Sequence, residues 1–203
     1  MLNRFARALF TRLLTPVARL LLRARVSPDV VTVIGTLGVC AGALGFYPRG
    51  HFFVGTLVIT AFVFSDLVDG TMARLSGRSS RWGAFLDSTL DRVGDAAVFG
   101  SLVLWFSGNG DDPVLGAVAL YCLAAGSVVP YAKARAEGLG MRADVGVAER
   151  ADRLVLILVT TGLSGLGVPF VLEAALWLLA AASTVTVLQR MIVVRRQALA
   201  EAG

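Results

Sequence analysis

The sequence predicts an all-α integral membrane protein, with six transmembrane helices preceded by an N-terminal amphipathic juxtamembrane helix. Three observations carry this expectation. Hydrophobic residues make up 56% of the 203 positions and the mean hydropathy is +0.75, too apolar for an ordinary soluble domain. Charged residues are only 16% of the chain and are clustered, which leaves six apolar runs of the order of the 20 residues that cross a hydrocarbon core of about 30 Å. Nearly all the lysines and arginines then fall on one side of the arrangement these runs imply.

Residues 2–25 interleave apolar positions such as Leu2, Phe5, Leu9, Leu13 and Leu20 with arginines at 4, 7, 12, 19, 23 and 25. This pattern predicts a basic amphipathic helix on the cytoplasmic leaflet, occupying residues 1–26. A cleaved signal peptide is the rival reading, but Arg12 and Pro16 interrupt what would be its apolar core, and no clear cleavage site follows.

The six runs are about 30–46, 52–74, 83–106, 113–134, 152–168 and 170–192, within a domain of residues 27–196 that is followed by a short tail at 197–203. Ser27-Pro28-Asp29 reads as an N-cap followed by proline at the first helical position. Gly38 and Gly42 form a small-xxx-small pair, so another helix can approach the first run closely. Gly77 and the serines near it allow a tight turn between the second and third runs. Cys40 and Cys122 both lie in apolar runs and read as packing residues rather than as a disulfide. His51, the one histidine, falls at an interfacial edge.

Six spans put both termini on one side. Arginines and lysines precede the first run, fill the second loop (Arg74, Arg78, Arg81), surround the fourth (Lys133, Arg135, Arg142, Arg150, Arg153) and lie near the C-terminus (Arg190, Arg195, Arg196). The opposite loops contribute Arg49, and Arg92 falls inside a run. By the positive-inside rule the termini and these basic loops are cytoplasmic. The net charge of +5 is thus a topology signal and an attraction for anionic membrane lipids, and it does not point to nucleic acid.

Residues 66–91 put four aspartates into this apolar background. Asp66 and Asp69 are three apart, and Asp87 and Asp91 four apart, so on helices each pair projects from one face. Two facing helices would form a nest of four carboxylates. Such groups repel unless cations sit between them, and hard oxygen ligands suit Mg2+ or Mn2+, here two ions per site. Gly70 and Gly83 let a nucleotide or a helix approach the backbone, and Arg74, one turn beyond Gly70, can fork onto a phosphate. Ser80 fits either a donor to a diphosphate or a loop filler.

The pattern Asp66-x2-Asp69-Gly70-x2-Ala73-Arg74-x8-Gly83-x3-Asp87-x3-Asp91 resembles, position for position, the signature of the CDP-alcohol phosphotransferases. The resemblance implies that Asp66, Asp69, Asp87 and Asp91 hold the metal ions and that Asp91 is the general base. It also implies that Asp29, Val30, Val31 and Thr32 help hold the nucleotide; plain helix capping is the alternative for that segment. A homodimer is expected on the same ground.

A second similarity is narrower. Tyr131-x-Lys133-Ala134-Arg135-Ala136-Glu137, followed by Glu149-Arg150-x-x-Arg153-Leu154, resembles the bacterial phosphatidylinositol phosphate synthase branch of that family, as do Thr15-Pro16 and Ser27 to Thr32. The resemblance implies that Lys133, Arg135, Arg153 and Arg190 hold the phosphate of inositol phosphate. Positive-inside bias alone also places cations there.

The expected reaction is therefore transfer of a phosphatidyl group from CDP-diacylglycerol to inositol phosphate, with release of CMP, at the cytoplasmic face of a bacterial cell membrane. Glycerol 3-phosphate is the alternative acceptor, since it also brings a phosphate to a basic pocket. A cation transporter is the alternative of another class, because intramembrane acids often line ion paths. It fits poorly, since the four aspartates gather at one face.

Overall fold

The computed structural model describes residues 15–77 and 80–201, and among them there is no strand. Residues 15–23 are helical (α1). Then come α2 (Pro28–Phe46), a 3-10 turn at Tyr47–Arg49, α3 (Phe52–Val63), α4 (Ser65–Ser76), α5 (Arg81–Phe106), α6 (Pro113–Glu137), α7 (Arg150–Gly165) and α8 (Val171–Glu201). Most of the amphipathic helix expected over residues 2–25 lies outside the described residues.

Local chemistry sets these bounds. The Ser27 hydroxyl accepts from Val30 N at 3.3 Å and Pro28 supplies the first turn, so α2 begins as its sequence requires. Gly77 takes the left-handed conformation (φ 63°) that closes α4. The Ser80 hydroxyl accepts from Gly83 N at 2.9 Å and opens α5. The expected second span departs from a single helix. Phe64 ends α3 and starts α4, with its N–H on Thr60 O at 3.1 Å and its C=O accepting from Leu67 N at 3.2 Å. The interruption falls where the apolar run gives way to Ser65, Asp66 and Asp69.

Among the described residues four segments are long and apolar enough to cross a membrane: Pro28–Arg49, Phe52–Ser76, Pro113–Glu137 and Val171–Ala200. The expected third and fifth runs behave differently from these: α5 carries Asp87, Asp91, Arg92 and Asp95, and α7 is 16 residues long with Arg150, Asp152 and Arg153 in its first turn. Even so, α5 and α7 expose large aliphatic side chains outward, Leu104 and Val155, as α2, α3, α6 and α8 do with Leu37, Leu57, Leu120 and Leu178.

The helices pack as a closed ring. α2 lies against α3 and α5, α5 against α6, α6 against α8, α8 against α7, and α7 back against α3. The core inside includes Val39, Ile59, Leu102, Ile157 and Leu176. Gly42 explains the close crossing of α2 and α3, since a Cβ there would sit 3.0 Å from Val58 Cγ1 and 3.1 Å from Ile59 Cγ1. The small-xxx-small pair therefore serves a neighbour in the same chain. At one end Tyr47, Phe52 and Trp105 stack edge to face, with centroids 5.7 and 5.1 Å apart. Cys40 and Cys122 are free, and Cys122 is buried against Leu176 O. The polar cavities lie at the other end, formed by the starts of α2, α5 and α7, by α4, by the last turns of α6 and by the C-terminal half of α8.

Candidate active site

Three neighbouring cavities share that end. The first, of about 240 Å³, lies between the start of α2, α4 and the start of α5. The carboxylates of Asp29, Asp69 and Asp87 line it, with Thr32, Gly70, Ser80 and Gly83. Asp69 is buried, and its Oδ2 accepts a hydrogen bond of 2.5 Å from the Thr32 hydroxyl. Gly83 keeps the wall low, since a Cβ there would sit 3.3 Å from Ser80 Oγ and 3.8 Å from Asp29 Oδ1. At Gly70 the nearest group to such a Cβ is the Arg74 guanidinium, 3.6 Å away.

The other expected nucleotide residues stand outside this lining. Arg74 is exposed and folds back on its own helix, donating from Nη2 to Thr71 Oγ1 at 3.1 Å. Val30 is exposed and Val31 partly buried, so from this segment it is Asp29 and Thr32 that reach the cleft. The Ser80 oxygen caps α5, and its side chain borders the cavity.

Asp91, one turn beyond Asp87, lines a small inner hollow with Thr32, Gly94, Asp95 and Arg150. Its Oδ1 is 2.9 Å from Arg150 Nη1, and its Oδ2 is 3.5 Å from Arg92 Nη2. Among the described residues no three acids stand close enough together to form a metal cluster, and the side chain of Asp66 lies outside the described residues. The donor chemistry still fits hard divalent ions: Asp69 and Asp87 present carboxylate oxygens to one cleft, Asp91 follows on the same face of α5, and no sulfur or imidazole ligand intrudes.

The third cavity, of about 230 Å³, is basic. Lys133 from α6, Arg150 and Arg153 from α7 and Arg190 from α8 line it, opposed by Glu137 and Glu149. Arg153 and Arg190 are 2% and 3% exposed, which demands partners for their charge. Arg190 donates to Val145 O at 2.9 Å and to Val129 O at 2.5 Å. Arg153 Nη2 donates to Gly126 O at 3.0 Å and lies 3.5 Å from Asp95 Oδ2, while its buried Nη1 has no hydrogen-bond partner. Lys133 Nζ is 2.6 Å from Asp144 Oδ1, and this ammonium holds the Asp144 carboxyl below its ordinary value. Arg135 is exposed and does not line the cavity. Two residues, about 200° of helical rotation, separate it from Lys133.

Two residues of this end were missed in the sequence. Arg150 borders both the inner hollow and the basic cavity, and Asp95 sits between Arg150 and Arg153. Both carried a signal. Asp95 continues the i, i+4 stripe of Asp87 and Asp91, and Arg150 stands three before Arg153 on one helix face.

The chain is similar to known proteins over most of its length. The profile of the CDP-alcohol phosphatidyltransferase family matches residues 25–136. A phosphatidylinositol phosphate synthase of Streptomyces avermitilis is 59% identical, over 97% of this chain and 84% of its own length. One from Cutibacterium acnes is 47% identical over 97% of this chain and 98% of its own. Among solved structures, the Mycobacterium tuberculosis phosphatidylinositol phosphate synthase with CDP-DAG bound superimposes with a TM-score of 0.87 at 44% identity, covering 90% of this chain and 94% of that one. The same synthase in complex with manganese and citrate gives a TM-score of 0.86 at 44% identity, over 89% and 88% of the two chains.

Proposed function

Since the chain belongs to the CDP-alcohol phosphatidyltransferase family, we propose that it is the enzyme that moves a phosphatidyl group from CDP-diacylglycerol to a hydroxyl of inositol phosphate, releasing CMP. The observation that carries this reading is the pairing of an acidic cleft with a basic cavity, with the hollow around Asp91 sharing Thr32 with the first and Arg150 with the second. The first suits a nucleotide diphosphate with divalent ions. The second suits a phosphomonoester, which a neutral alcohol acceptor would not require.

In this reading the cytidine diphosphate occupies the cleft lined by Asp29, Thr32, Gly70, Ser80 and Gly83, with Val30, Val31 and Arg74 at its margin. Asp66, Asp69, Asp87 and Asp91 would hold the two ions, Mg2+ or Mn2+, and the manganese complex of the mycobacterial relative supports the ion type. When bound, these ions neutralise charge on the diphosphate. Lys133, Arg153 and Arg190 hold the acceptor phosphate, with Arg150 beside them and Arg135 outside the cavity. The acceptor oxygen attacks the phosphorus that carries the diacylglycerol; that P–O bond forms as the bond to CMP breaks. Asp91 takes the hydroxyl proton. Such a transfer needs charge neutralisation and in-line positioning more than covalent chemistry by the protein.

We read the chain as crossing a bacterial cell membrane six times, with both termini and the site cytoplasmic, as a homodimer among membrane lipids. The outward aliphatic side chains of α5 and α7 support their counting as spans beside the four more apolar segments. The basic loops support the orientation. Residues 27–196 form the enzyme domain, residues 1–26 the surface helix and residues 197–203 the tail.

The test is to incubate detergent-purified protein with CDP-diacylglycerol and Mg2+, and to offer inositol 1-phosphate, glycerol 3-phosphate or free inositol while following CMP and lipid product. Release with inositol phosphate alone is expected. Release with glycerol phosphate alone would overturn the acceptor assignment, and metal uptake into sealed proteoliposomes without nucleotide would favour a transporter.

A further inference from the structure

We infer that Asp95 is a positioning residue for the acceptor: it holds Arg150 and Arg153 as one unit, and through Arg150 it sets the basic cavity at a fixed distance from Asp91. The inference rests on the acceptor reading given above.

Asp95 is 7% exposed and stands on α5 one turn beyond Asp91. Its Oδ1 accepts from Arg150 Nε at 3.2 Å, and its Oδ2 is 3.5 Å from Arg153 Nη2. Arg150 extends in the other direction as well, placing Nη1 2.9 Å from Asp91 Oδ1. A single guanidinium therefore spans two carboxylates on successive turns of α5. Because the guanidinium is planar and rigid, fixing Nε also fixes the direction of Nη1.

Arg153 is held on the same arm from Asp95 and by Gly126 O, which leaves its buried Nη1 unpartnered in a cavity lined by Lys133 and Arg190. A buried cationic donor without a partner is costly, and an anionic oxygen is what satisfies it. Asp95 thereby commits Nη2 of Arg153 and Nε of Arg150, and leaves the Nη1 of Arg153 for a ligand. Two arginines three apart would otherwise repel and sway.

The sign of the effect separates this role from plain electrostatics. Asp95 is a negative charge beside an anion site, so charge alone predicts that neutralising it strengthens acceptor binding. Positioning predicts the opposite.

The experiment measures CMP release by the full-length protein in detergent, with inositol 1-phosphate varied at saturating CDP-diacylglycerol and Mg2+. Asp95→Asn is expected to raise the KM for inositol phosphate by about tenfold or more while leaving that for CDP-diacylglycerol within about twofold. Asp95→Glu keeps the charge and displaces the carboxylate by one methylene; it should fall between wild type and Asp95→Asn, and it reads the same shift if the asparagine variant does not fold. An acceptor KM that is unchanged or lowered, or a loss spread equally over both substrates, would overturn the inference while leaving the proposed function standing. A wild-type protein that uses no phosphorylated acceptor would overturn both.

Discussion

The Thr32 hydroxyl donates to Asp69 Oδ2 at 2.5 Å, a buried bond that joins residues 37 apart in the chain and ties the first turns of α2 to α4. The residue expected to meet the nucleotide is thus also the residue that orients an expected metal ligand. Thr32→Val keeps the shape and removes the donor. It should weaken the apparent affinity for Mg2+ by about 10- to 100-fold, the usual cost of losing a group that orients a ligand. A Mg2+ titration of CMP release checks this, and Thr32→Ser should behave nearly as wild type.

Asp91→Asn should lower kcat by a factor of about 10² to 10⁴, since it removes the proton acceptor. CDP-diacylglycerol binding, followed by displacement of a labelled donor, should survive the change. Full turnover by this variant would reassign the base.

Arg153 and Arg135 make a matched pair for testing the basic cavity. Arg153→Ala removes a buried cation and one of the two arginine partners of Asp95, so an acceptor-affinity loss of about 2 to 5 kcal/mol is expected, together with lower thermal stability. Arg135→Ala should change neither, because that side chain is exposed and outside the cavity. Steady-state kinetics and thermal unfolding of both variants distinguish a built pocket from a diffuse positive surface.

Gly42→Leu tests the packing of α2 on α3. The Cβ position is already 3.0 Å from Val58, so the larger side chain must push the helices apart, at a cost of about 1 to 3 kcal/mol. A lower unfolding temperature in detergent with the substrate KM values of the folded fraction unchanged is the expected result.

Much of this was legible in advance because it was local. The caps at Ser27 and Ser80 and the stop at Gly77 are written in residue types that favour those geometries, and Asp69 and Asp87, on the two helices joined by that turn, line one cleft. What periodicity could not supply was the relation between distant elements. Nothing within α7 says that Arg150 meets Asp91 and Asp95, because that pairing depends on how α7 sits against the ring. The same reason hid the break at Phe64, where one hydrophobic residue continues the apolar run while the backbone divides it. Arg135 was a different case: its charge fitted the resemblance, and its rotation on α6 takes it away from the cavity.

The guanidinium of Arg150 borders both the hollow around Asp91 and the basic cavity, so the two cannot be independent thermodynamic compartments. Any ligand that alters the hold of Asp91 on Arg150 changes the free energy of occupying the other side, and linkage requires the reverse effect to be equal. The factor by which donor and metal shift acceptor affinity is therefore the factor by which acceptor shifts theirs. Sharing one side chain makes occupancy of either side a heterotropic effector of the other within a single chain.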